Sequence, residues 1–366
     1  MSVQTHGGAK IMSKVSDTTS RTGGAGMIDV VRRALPQSYL ILVLLAIISV
    51  GYFVTPNFLT VRNFSNVVAF SSIIAILAVG QFYVILTGGI DLSVGAILAL
   101  STVVAALTLR TGMDAGLATI FTLLVCVGVG FVNGLLIVWI RIPPFIATLA
   151  MMSVVQGFSY IIQSSSLIQI ENQSFVDWFS DGHLVGIPNP ILIFLVVTAI
   201  AAFTSRYTTF GRGLYAIGGN REAARLSGLP VARDLMITYT LSGFLAGLAG
   251  LLAAAQLLQG SSLVGRGNEL DAIAAVVVGG ASLAGGNGNP INSVIGVVVL
   301  ATIINIMNLV GISSEPQLVI KGGVIIVAVF LSSAGGVGRI SAALSILFGS
   351  NLTRKSAVST KLDVKK

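Results

Sequence analysis

The chain has 366 residues, of which 54% are hydrophobic and only 9% charged, with 42 glycines and a net charge of +8. Soluble domains carry about a quarter charged residues, so the composition excludes a water-facing enzyme and a disordered chain. Cys126 is the single cysteine and there are two histidines, which excludes a disulfide scaffold and a zinc cluster.

What remains is an all-α, polytopic membrane bundle, because the apolar runs are continuous rather than alternating as a membrane barrel requires. A membrane helix needs about 20 apolar residues, and ten segments approach or meet that length. Residues 1–37, rich in Ser, Thr and Gly, read as a disordered tail. Segment 39–55 starts late and lacks an A-x-A site, so it reads as a first anchor, not a cleaved signal. Segments 64–87, 93–109, 116–139 and 144–163 follow, then 190–204, 235–257, 271–285, 291–311 and 316–334, and a basic tail over 336–366. Residues 38–335 thus form the membrane domain. Pro143, Pro144, Pro188, Pro190 and Pro290 stand at the proposed boundaries, where a missing N–H costs least.

Charge sets the orientation. Sixteen of the 21 Lys and Arg residues fall in 1–38, 205–234 and 335–366, whereas 164–189 holds Glu171, Asp177 and Asp181 with neither Lys nor Arg. The positive-inside rule puts the three basic segments, and with them both termini, in the cytoplasm. The parity of ten crossings gives the same answer. Nucleic-acid binding would need a folded basic surface with interleaved aromatics, which is absent from the sequence.

Glycines divide into two kinds. Gly128, Gly130 and Gly134, and Gly243 with Ala246, Gly247 and Gly250, sit inside spans and read as close helix packing. Gly88, Gly89 and Asp91, and Gly279 and Gly280, sit at joins between spans and read as helix breaks. Paired breaks in the two halves of a chain are a common transporter design. Neither cluster is a phosphate loop: Gly260–Gly265 is followed by Arg266 and Gly267, without the lysine and hydroxyl of a Walker motif.

Four ionisable residues lie near spans. Asp91 is placed to cap the third span, Glu269 and Asp271 to pair with Arg266, and Lys321 to reach outward to the interface. The amides Gln81, Asn133, Gln156, Gln256, Asn305 and Asn308 suit either a polar translocation path or bridges between helices.

Within the basic loop, Gly218-Gly219 breaks the chain, Asn220 is an N-cap, and Arg221, Glu222, Ala223, Ala224, Arg225, Leu226 and Ser227 make about two helical turns. Gly228 stops that helix and Pro230 follows. Two turns do not hold alone. Arg221 and Arg225 repel at i,i+4, which Glu222 offsets in part.

This loop, with Gly80–Gly95 and Gly267–Gly286, resembles the membrane permease subunit of bacterial ATP-binding-cassette sugar importers, the ribose-type group related to branched-chain amino-acid permeases. The resemblance spans about residues 38–335. It implies a type II importer-like pore of about ten helices per subunit in the bacterial inner membrane, used as a homodimer. It also implies that Gly218–Gly228 is the coupling helix that docks in an ATPase subunit, and that a separate sugar-binding protein serves the outer face. The chain itself would then bind no cofactor and catalyse no reaction, ATP and magnesium being held by the ATPase. The rival readings are a permease for branched-chain amino acids, an ion-coupled secondary transporter and a non-transporting scaffold.

Overall fold

The computed structural model describes residues 25–164 and 166–332. Thirteen α-helices occur among them, with four two-residue strands. Each of the ten apolar segments lies on a helix, because uninterrupted apolar sequence in lipid satisfies its backbone only within itself. These are α1 (Ala25–Val54), α2 (Val61–Leu86), α3 (Val94–Arg110), α4 (Ala115–Val138), α5 (Pro144–Gln163) and α7 (Asn189–Tyr207), then α10 (Val231–Leu257), α11 (Asn268–Val278), α12 (Pro290–Leu309) and α13 (Ser314–Ser332). Among the described residues, six of them (α2, α4, α5, α7, α10 and α12) are long and apolar enough to cross a membrane unaided.

Two expected boundaries are corrected. Helix α1 starts at Ala25, inside the segment read as a tail, because Met27, Ile28, Val31 and Leu35 continue a helical apolar spacing. Residues 1–24 and 336–366 lie outside the described residues, and the readings made for them stay with the sequence. Segment 271–285 is not a full span: α11 has 11 residues, a rise of ~16 Å, and ends where Gly279 and Gly280 begin. Gly280 has φ +87°, which no helix tolerates.

Helices α2 and α10 form the centre, buried on nearly all sides. Around α10 pack α4, α3 and α2; α12, α11 and α7 close on α2; α1 and α13 lie against α12 and α11. The α4–α10 crossing is glycine against glycine. A Cβ on Gly130 would stand 2.5 Å from the Tyr239 carbonyl, and one on Gly243 2.6 Å from the Cys126 carbonyl. In the same crossing Gly247 meets the Cys126 side chain, whereas Gly250 packs on Ser101 of α3 and Gly128 faces open space.

At one end of the bundle α8 (Thr209–Gly219) and α9 (Arg221–Leu226) link α7 to α10. At the other end, α6 (Gln173–Val176) and a π-helical turn (Asp177–Asp181) precede a hairpin of β2 (His183–Leu184) and β3 (Ile187–Pro188). Strand β1 (Ile168–Gln169) pairs antiparallel with β4 (Gln259–Gly260), bringing the segment after α5 onto the segment after α10.

Candidate functional site

Helix α9 has the limits its sequence dictates. The Asn220 side chain accepts from the Ala223 N–H at 2.9 Å, and Gly228, at φ +82°, turns the chain away. Its inner face is Ala224, which is buried; Arg221, Glu222, Ala223, Arg225 and Leu226 are exposed. Leu226 is 75% exposed, an unusual position for a leucine on a short helix. Arg225 grips Glu222 through Nη2 at 2.6 Å and Nε at 3.1 Å, and that grip holds the Glu222 carboxyl below the usual carboxylate range. Arg221 is thereby left as the free cation of the face, with no ion pair among the described residues.

Immediately before α9 the chain meets both helix breaks. Helix α2 stops at Leu86 and Gly88 takes φ +78°. The segment after α11 folds back with Gly285 at φ +88° and Gly286 at φ +72°. Gly286 donates its N–H to the Leu86 carbonyl at 2.9 Å. Gly218 lies on that contact: a Cβ there would stand 1.9 Å from the Leu86 carbonyl oxygen and 2.3 Å from the Gly286 nitrogen. Its neighbour Gly219 has nothing within 4 Å of the same position. On α8, Tyr215 donates to the Gly288 carbonyl at 2.9 Å. Three glycine clusters far apart in sequence therefore form one backbone joint, which only residues without a side chain permit. The sequence marks Gly218 and the clusters Leu86–Gly95 and Val278–Gly288 as breaks, but it signals neither Tyr215 nor the contact among the three.

Between Gly88 and α3 the chain turns back into the bundle around Asp91, which is fully buried. Asp91 Oδ1 accepts from the Ser93 N–H at 2.9 Å and Oγ at 2.6 Å, and Oδ2 from Ser242 Oγ at 2.8 Å. With its amide turned to match its partners, Gln81, on α2, donates to the Asp91 carbonyl at 3.0 Å and accepts from its N–H at 3.2 Å. Asn133, on α4, donates to Ser93 Oγ at 2.8 Å. One carboxylate thus ties the first break to α10, and through Ser93 to α4. It does so without an ion pair among the described residues. The N-cap of α3 is Ser93 rather than Asp91, whose carboxylate instead holds Ser93 from two residues earlier while its second oxygen reaches across the bundle.

The other amides are spread out. Gln156, on α5, donates to the Ser262 carbonyl. Gln256 donates to the Ala69 carbonyl at 3.3 Å, Asn305 and Asn63 exchange two bonds at 2.7 and 2.9 Å, and Asn308 accepts from Gln317 at 2.7 Å. Gln81 and Asn133 share the Asp91 network, while Gln256, Asn305 and Asn308 bridge separate helix pairs. The six do not converge on one path.

Two charge pairings are corrected. Lys321 Nζ lies 2.8 Å from Asp271 Oδ2, joining α13 to α11, so Lys321 does not extend to an interface. Arg266 pairs with neither acid and instead donates to the Tyr160 hydroxyl. Asp271 and Lys321 sit on facing helices, which sequence spacing alone does not disclose. No cluster of three or more His, Cys, Asp or Glu that would hold a metal ion occurs among the described residues.

The family described as "Branched-chain amino acid transport system / permease component" matches residues 63–329. The chain belongs to this permease family. It is 41% identical over 296 residues to the ribose import permease protein of Escherichia coli strain K12, covering 80% of this chain and 91% of that one. It is 43% identical over 256 residues to the ribose import permease protein of Bacillus subtilis strain 168, covering 70% and 80%. To the D-allose transport system permease protein of Escherichia coli it is 37% identical over 285 residues, covering 78% and 86%. No solved structure matches it. The matched span of the permease family contains both helix breaks, the Asp91 network and α9, and it makes this chain a multi-pass membrane protein.

Proposed function

We propose that the chain is the pore-forming subunit of an ATP-driven importer for a monosaccharide of the ribose, allose or arabinose type, in the bacterial inner membrane. In this reading two copies form the pore, with both termini and α9 on the cytoplasmic side. An ATPase subunit holds ATP and magnesium, and an external sugar-binding protein delivers the substrate. The chain breaks no covalent bond.

The observation that carries the reading is α9: a short helix, capped at both ends, that presents Leu226, Arg221 and the Glu222–Arg225 pair to the exterior while its root is clamped to both helix breaks. A partner that grips α9 moves the breaks, since Gly218 has no slack against Leu86 and Gly286. Alternating access then follows as a rearrangement of the half-helices α3 and α11 around those breaks. The relatives named for ribose and allose favour a sugar over a branched-chain amino acid.

The test is uptake of labelled sugars by the complex of permease, ATPase and binding protein in proteoliposomes. Glu222→Lys places a third cation on a helix already holding Arg221 and Arg225. It is expected to lower uptake at least tenfold while the chain still inserts and purifies. Normal uptake would remove α9 from the coupling. Gly218→Ala, whose Cβ meets backbone, is expected to uncouple ATP hydrolysis from uptake by a similar factor, whereas Gly219→Ala leaves it within twofold of wild type. Equal behaviour of the two alanines would show that the joint carries no motion.

A further inference from the structure

Segment 258–267 runs down along α3. Gly260 approaches Ala106 and Thr102, and Gly265 approaches Gly95 and Leu98. A Cβ on Gly95 would lie 2.7 Å from the Gly265 carbonyl, and one on Gly265 2.6 Å from the Gly95 carbonyl. Gly95 is the second residue of α3, whose 17 residues rise ~25 Å. Arg266 therefore leaves the backbone deep in the bundle, level with the start of α3.

At this depth Arg266 is exposed, and it has no ion pair among the described residues. Its contacts are with Tyr160, whose hydroxyl it meets through Nη2 and whose ring centroid lies 5.9 Å from its guanidinium carbon. Hydrocarbon solvates no guanidinium, so an exposed one among the spanning helices faces water. The same open side of α5 carries Ser153 and Tyr160, both exposed, and Gly157, where an added Cβ would meet nothing within 4 Å. Gln156 and Glu269 are half-buried beside them. Glu269 stands against the start of α3, since a Cβ on Gly95 would meet its carboxylate, and it accepts the Gly267 N–H at 3.2 Å.

We propose that Gln156, Tyr160, Arg266 and Glu269 line a water-filled path running from the last turn of α5 to the start of α3 and contact the passing sugar there. The inference rests on the reading of the chain as a sugar permease whose second copy closes the open side of α5. The set matches a neutral polyol: Arg266 supplies donors, Glu269 acceptors, Gln156 both, and the Tyr160 ring an apolar face for ring C–H groups. It contains no group that would demand a charged substrate, because Arg266 and Glu269 bring opposite charges to one place.

The test uses the membrane-embedded complex and a charged, membrane-impermeant thiol reagent, with no sugar present. Cys126 is fully buried, so wild type is expected not to react. Arg266→Cys and Gln156→Cys are expected to react at least tenfold faster than Leu124→Cys, on the exposed apolar face of α4. If the two path positions react no faster than Leu124→Cys, the path is overturned, whatever wild-type uptake shows. If Arg266→Cys fails to fold, Gln156→Cys decides the matter alone. Uptake supplies the second arm: Arg266→Gln and Gln156→Leu are expected to lower labelled-sugar uptake at least fivefold with ATP hydrolysis unchanged. Unchanged uptake, or an equal fall in hydrolysis, overturns the sugar contact. Failure of wild-type uptake would instead overturn the proposed function.

Discussion

Gly243→Leu leaves little or no folded protein to purify. The Cβ alone would stand 2.6 Å from the Cys126 carbonyl and 2.8 Å from the Gly130 Cα, backbone on both counts, and backbone does not rotate aside. Relief requires α4 and α10 to separate, which also opens the contacts at Gly134 and Gly247. In lipid no hydrophobic force draws helices back together, so association rests on this close packing. Overpacking at one site costs about 1–3 kcal/mol, and leucine adds three further carbons beyond the Cβ. The control is Gly128→Leu on the facing helix α4, whose Cβ meets nothing within 4 Å. Size-exclusion chromatography of a fluorescent fusion is expected to show a monodisperse peak reduced at least tenfold for Gly243→Leu and within twofold of wild type for Gly128→Leu.

Asp91→Ala is expected to be the most damaging polar substitution. It strands three buried donors at once, the Ser93 N–H, the Ser93 hydroxyl and the Ser242 hydroxyl. A buried group left without its partner costs about 1–3 kcal/mol, so the loss is of order 3–5 kcal/mol. Ser242→Ala removes one donor and leaves one carboxylate oxygen underused, so its cost is about a third of that. Asp91→Asn keeps the shape and one full acceptor oxygen and falls between the two. Thermal unfolding of the purified permease is expected to rank wild type above Ser242→Ala, then Asp91→Asn, then Asp91→Ala. An Asp91→Ala protein as stable as wild type would mean that the carboxylate does not tie the break to α10.

Much of this was legible because it is local. A run of apolar residues between prolines and glycines states its own length, so α5 begins at Pro144 and α12 at Pro290, next to the residues that announce them. Asn220 and Gly228 bound α9 by cap chemistry that acts within four residues. Long-range partnerships were not legible. Nothing in the spacing of Gly88, Gly218 and Gly286 says that they touch, and each alone reads as a turn. Spacing puts Asp271 beside Arg266 and Lys321 toward the interface, because their facing positions depend on how α11 and α13 pack. The length of α11 was misread for a related reason: apolar content continues through Ala281, Leu283 and Ala284, while backbone conformation ends the helix at Gly279. Arg266 resembled a surface residue because segment 258–267 carries the small and polar composition of an outside loop, although glycines let it lie against α3.

The central claim is that this pore is driven from outside the chain, through α9. Its most direct test is accumulation of labelled ribose, allose or arabinose in proteoliposomes holding the permease with its ATPase and binding protein, supplied either with ATP on the α9 side or with an ion gradient alone. Accumulation with ATP and none with the gradient is the predicted result; accumulation driven by the gradient without ATP would contradict it.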